Sequence, residues 1–87
     1  MTREMNLMIG YIIEKAEEHL NIACIYADSI KNKDDKTNIL NAEYCLGKST
    51  AYMEMLETLD FSQFVEFADK CNDKRETIIK AIEKLYN

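Results

Sequence analysis

Apolar residues recur along this chain three and four positions apart, the spacing of helices and not of strands. Between residues 3 and 31 they form adjacent rows: Ile9, Ala16, Ala23 and Ile30; Ile13, Leu20 and Ala27; Met5, Ile12, His19 and Tyr26. Met8, Tyr11, Ile22 and Ile25 widen the arc, leaving a narrow polar strip of Glu14, Glu17, Asn21 and Asp28. A helix apolar over so wide an arc predicts more than one neighbour. A second helix is predicted over about 36–58. Its main face holds Ile39, Ala42, Cys45, Leu46, Ser49, Tyr52, Met53, Leu56 and Leu59. A separate stripe lies opposite: Leu40, Tyr44, Gly47, Ala51 and Met55. Its small centre, Gly47 and Ala51, suits close approach by another helix. A third helix is predicted over about 61–85, with rows Phe61, Ala68, Arg75, Ile82; Phe64, Cys71, Ile78, Leu85; and Val65, Asn72, Ile79, Tyr86.

The boundaries carry their own chemistry. In "KNKDDKTN", Lys31 and Lys33 suit a helix C-terminus, and Asp34 and Asp35 suit the positive end of the helix that follows. In "TLDFSQF", Asp60 reads as an N-cap with Gln63 at the third helical position, flanked by Leu59 and Phe64 as a hydrophobic staple. Glu66–Lys70 and Glu76–Lys80 are spaced to pair along the outside of the third helix. The polar residues near Cys71–Asp73 mark where that helix would split if it splits. The expected fold is all-α, a three-helix antiparallel bundle of one domain over 1–87, its surplus apolar surface completed by homo-oligomerisation.

Composition narrows the function. The chain has 87 residues, no proline and two glycines, so turn punctuation is sparse and helices are the default. A domain this short buries a limited share of its surface and gains from a partner chain. Net charge is −5, spread as −1, −3 and −1 over residues 1–33, 34–59 and 60–87. No segment is basic, which argues against a nucleic-acid partner. Cys24, Cys45 and Cys71 are odd in number and far apart, without a Cys-x-x-Cys pair. They read as reduced thiols of a cytoplasmic protein, not as a disulfide frame or a zinc site. Glu14 interrupts the apolar run Leu7–Ile13 before it could span a bilayer, so no membrane partner is expected.

Residues 42–49, "AEYCLGKS", match a loose phosphate-loop pattern. A phosphate loop needs glycine-rich backbone between a strand and a helix, with its amides free to point at the phosphates. Here the stretch lies inside the second helical period, so the Gly47 amide belongs to the Glu43 carbonyl. No nucleotide is expected.

The remaining candidates weigh the same way. The spacings Glu14–Glu17 and Glu54–Glu57, with Glu18 and Asp28, resemble the Glu-x-x-Glu and Glu-x-x-Asp magnesium pairs of all-helical nucleotide pyrophosphohydrolases. That resemblance would imply a magnesium-dependent enzyme, the alternative function carried for this chain. Those enzymes turn the carboxylates into the bundle, whereas the wheel turns these outward, as a solvated face. In size and helix number the chain is also similar to dimeric chorismate mutases, which grip a dicarboxylate with several arginines. Only Arg3 and Arg75 are present, so the likeness stops at the architecture. Arg75 reads as snorkelling or pairing with an acidic neighbour. His19 is the only histidine and has no ligand at metal spacing. No catalytic residue, metal or cofactor is assigned, and no family pattern extends over the chain. The expected role is protein–protein interaction, as a regulator, inhibitor or assembly subunit of the bacterial or mobile-element kind. The contacts would be made by Leu40, Tyr44, Gly47, Ala51, Met55, Tyr11, Ile22 and Ile25, with a second copy as one partner.

Overall fold

The three periodic segments form three helices in the computed structural model, which describes residues 2–86. Helix α1 spans Arg3–Asp28, α2 spans Lys36–Leu59 and α3 spans Phe61–Glu83, followed by a 3-10 turn at Lys84–Tyr86. The third helix runs unbroken through Cys71–Asp73.

Local chemistry sets the ends. The Thr2 hydroxyl oxygen accepts from the Met5 amide at 3.1 Å, capping α1. That helix stops at Asp28, three residues before the periodicity does. The Ser29 amide turns back to the Tyr26 carbonyl at 3.1 Å, and its hydroxyl donates to the Ile25 carbonyl at 2.8 Å. Short polar side chains that bond nearby backbone compete with helix continuation. Asp35 then ties the connection together: its carboxylate accepts from the Lys31 amide at 3.2 Å and from the Asn38 side-chain amide at 2.9 Å. Both bonds favour the charged form and lower the Asp35 pKa, with the Asn38 side chain the larger cause.

Between α2 and α3 only Asp60 intervenes, and it serves both helices. Its amide donates to the Leu56 carbonyl at 2.8 Å, closing α2. Its carboxylate accepts from the Gln63 amide at 3.1 Å and from the Gln63 side chain at 3.0 Å, opening α3. These bonds hold the Asp60 pKa below the ordinary aspartate value. Leu59 and Phe64 both pack against the core, as a staple requires. At the far end α3 stops at Glu83, not at 85, where the last turn tightens to 3-10 geometry.

Small side chains line the meeting of α1 and α2. Ala16, Ala23 and Ala27 face Ala42, Cys45 and Ser49, all buried. Ser49 is 0% exposed, and its hydroxyl donates to the Ala16 carbonyl of α1 at 2.8 Å. A side-chain oxygen of α2 can reach the backbone of α1 only where the helices lie close. This bond also fixes the antiparallel register, with Ser49 level with Ala16. Ile9, Ile12 and Leu20 of α1 and Ile39, Met53 and Leu56 of α2 complete the seam.

Helix α3 lies along this pair and runs parallel to α1. Lys70 approaches Glu17 at 3.9 Å and Lys74 donates to Asn21 at 2.8 Å, so the two helices advance together. The core takes Phe67, Cys71 and Ile78 from α3. The rows read from the sequence omitted Phe67 and opened two of their number with Phe61 and Val65. Yet Phe61 is 63% exposed and Val65 is exposed too. The expected Glu66–Lys70 and Glu76–Lys80 pairs do not form. Among the described residues the ion pairs are Lys15–Glu18 and Lys70–Glu17, so Lys70 reaches across to α1 and not along its own helix. The bundle is long and thin, 48 × 19 × 15 Å.

Candidate functional site

The stretch "GKST" is continuous helix, and its three side chains are each engaged within the chain. The Gly47 backbone has no positive φ, and a Cβ built there meets nothing within 4 Å. The helix crossing expected at Gly47 is thus not made within the chain. Lys48 places its ammonium over the Tyr44 ring, 5.1 Å from the centroid. Ser49 is sealed in the α1–α2 seam, and Thr50 donates to the Leu46 carbonyl at 2.9 Å. A hydroxyl held in this way has no access to a phosphate or its metal ion.

The carboxylates that resemble a magnesium set do not converge. Among the described residues, no three His, Cys, Asp or Glu side chains stand close enough together to hold a metal ion. Glu17 and Glu18 are instead drawn to Lys70 and Lys15. His19 stacks on Tyr52, with ring centroids 5.8 Å apart and planes 7° from parallel. This contact places the histidine in the α1–α2 packing. Arg75 points its guanidinium at the Met53 sulfur, 3.6 Å away, and lines a groove of about 270 Å³ with Thr50, Glu54, Phe64 and Asn72. Burial raises the thiol pKa of both Cys24 and Cys71, which makes them poor nucleophiles at neutral pH.

The largest concavities lie on the side of the hairpin lined by α1 and α2 alone. One, of about 480 Å³, is walled by Tyr11, Lys48, Ala51, Tyr52 and Met55. Another, of about 340 Å³, shares Met55 and adds Met8, Thr58 and Leu59. Together they form a shallow apolar trough. The grooves beside α3 are smaller, the largest being that at Arg75.

The trough exists because two apolar stripes flank a seam of small residues. On α1, Met8 and Tyr11 stand beside Ile9 and Ile12, which face inward. On α2, Ala51 and Met55 stand beside Tyr52 and Leu56. Ala51 provides the low floor between the taller Tyr52 and Met55. Tyr11 carries its own cation, Lys15, 5.6 Å from the ring centroid. Lys15 also donates to Glu18 at 3.1 Å, and this bond raises its pKa.

Of the contact residues read from the sequence, Tyr11, Ala51 and Met55 are brought together here. Leu40, Tyr44, Gly47 and Ile25 are exposed but do not line the trough, while Ile22 is half-buried and packs against the core. Met8, Lys48, Tyr52, Thr58 and Leu59 complete it and were outside that set. Tyr52 and Leu59 lie at the margin of the main face of α2, where periodicity alone cannot separate a core residue from a groove wall. Among the described residues, no helix is long and apolar enough to cross a membrane. No protein family, characterised relative or solved structure matches the chain.

Proposed function

We propose that this protein works by binding protein, through the trough between α1 and α2. The observation that carries the reading is the trough itself: Met8, Tyr11, Ala51, Tyr52, Met55 and Leu59 form one concave apolar strip along two helices. Its make-up suits a macromolecular contact. Methionine adapts to an opposing surface, and tyrosine offers a large apolar ring with a polar tip. The opening is long and shallow, unlike the enclosed pocket that typically surrounds a small ligand. A regulator, inhibitor or assembly subunit needs no more chemistry than this.

The test is Ala51→Glu, which sets a carboxylate on the trough floor. Ala51 is exposed, so the fold should persist, within about 0.5 kcal/mol of the parent. Tagged copies of parent and variant are recovered from the native cell, and the bound proteins, further copies of the chain included, are compared. The variant should lose them. If the same proteins come down in the same yield, the trough is not the contact surface.

A further inference from the structure

We infer that the trough is filled by a second copy of this chain, related by a two-fold axis that passes between Tyr11 and Met55. This rests on the trough being a protein contact, and it names the partner.

The first support is the placing of charge. Glu4 lies seven residues before Tyr11 on α1, and Lys48 lies seven before Met55 on α2. Seven residues are two helical turns, about 10 Å, so each charge returns to the face of the residue it precedes. Because α1 and α2 are antiparallel, the two charges lie equal distances on opposite sides of the Tyr11–Met55 midpoint. A two-fold axis through that midpoint, lying in the plane of the contact and running across the helices, carries Glu4 of one copy towards Lys48 of the other, and the reverse. Among the described residues neither charge stands in an ion pair, those being Lys15–Glu18 and Lys70–Glu17, and Lys48 rests over its own Tyr44 ring. The same rotation brings Met8 of each copy towards the low floor at Ala51, beside Tyr52. An isologous contact requires a patch complementary to itself in this way. A different partner would place no such condition on where Glu4 and Lys48 stand.

The second support is area. The chain exposes 5930 Å² for a mass of 10.2 kDa. A compact monomer of that mass exposes roughly 5,300 Å². The excess of roughly 600 Å² approaches the roughly 800 Å² that each partner covers in a standard interface. Face-to-face docking of two α1–α2 hairpins would gather four helices at the centre of the dimer and take surface of this order out of water.

Sedimentation equilibrium over a micromolar range, on the full chain, decides the matter. The parent should be a dimer. Lys48→Glu and Glu4→Lys should each weaken dimerisation roughly tenfold, because each sets two like-charged pairs across the axis. The double variant, Lys48→Glu with Glu4→Lys, should recover to within roughly threefold of the parent, since the same pairs re-form reversed. Circular dichroism checks that all three variants remain helical. A dimeric parent whose single variants associate unchanged, or whose double variant is not restored, overturns the proposed axis. A parent that stays monomeric overturns the second copy as occupant, while loss of bound proteins in Ala51→Glu would still uphold the trough as a contact surface.

Discussion

Replacing Ser49 by leucine forces two additional heavy atoms into a place where the existing side chain already touches backbone. The serine oxygen is 2.8 Å from the Ala16 carbonyl oxygen, and Ala16, Ala42 and Cys45 around it are buried. Overpacking of that kind costs about 1–3 kcal/mol. Loss of the hydrogen bond adds about 1 kcal/mol. Leucine returns about 0.3 kcal/mol in helix propensity. The sum is roughly 2–4 kcal/mol, at the rate of about 4–8 °C per kcal/mol for a domain of this size. A fall in Tm on the order of 10–30 °C is therefore expected. Ser49→Ala separates space from hydrogen bonding. It loses the same bond, creates no overlap and gains about 0.5 kcal/mol of propensity, so its net cost is only about 0.5 kcal/mol, a few degrees. The Ala16 carbonyl keeps its place in the α1 hydrogen-bond ladder in either variant. Thermal unfolding followed by circular dichroism at 222 nm gives both values. The account of a close α1–α2 seam is refuted if the leucine variant melts with the parent. It is equally refuted if alanine costs as much as leucine, because the hydroxyl and not the spacing would then dominate.

Two further outcomes follow from residues at the surface and the caps. Gly47→Ala should raise Tm by roughly 4–8 °C, since the added Cβ meets open space and alanine gains about 1 kcal/mol in a helix interior; a lower Tm in calorimetry would show that another helix approaches there. Asp60 has a lowered pKa in the fold, so its contribution is present above the unfolded aspartate value of about 3.9 and is lost as pH falls through the folded value. Asp60→Asn keeps a cap without the titration, and urea unfolding of this variant should lose less stability than the parent between neutral pH and about pH 3; parallel acid limbs would remove Asp60 from the account.

The sequence made some of these features legible because each was local. Asp60 and Gln63 announced the start of α3, and the cap forms as the spacing implied. The rows through Ile9, Ala16 and Ala23 located the seam of α1. Other features depended on which row faces which neighbour, and periodicity does not supply that. Phe61 heads an apolar row of α3 and Phe67 belongs to none of the rows, yet of the two only Phe67 reaches the core. Lys70 could meet Glu66 on its own helix or Glu17 on α1, and only the placement of the helices selects Glu17. Ser49 was legible as a member of the main face of α2, but its bond to a carbonyl of another helix was not. The candidate site divided in the same manner. The stripe from Leu40 to Met55 is outward as its spacing indicated, while the trough also needed Met8, Tyr52 and Leu59, whose role depends on how near α1 lies to α2.

The single residue between α2 and α3 limits how this chain can change in length. One residue added beside Asp60 would turn everything after it by about 100° about the helix axis. Phe67, Cys71 and Ile78 would swing off the core together, and no slack exists to take up the turn. The connection from Ser29 to Asp35 is longer, and an added residue within Lys31–Asp34, where the side chains are exposed, puts at stake only local turn bonds such as that from Lys31 to Asp35. Insertions, grafted epitopes and reporter labels therefore belong at Lys31–Asp34, and the joint at Asp60 must keep its length.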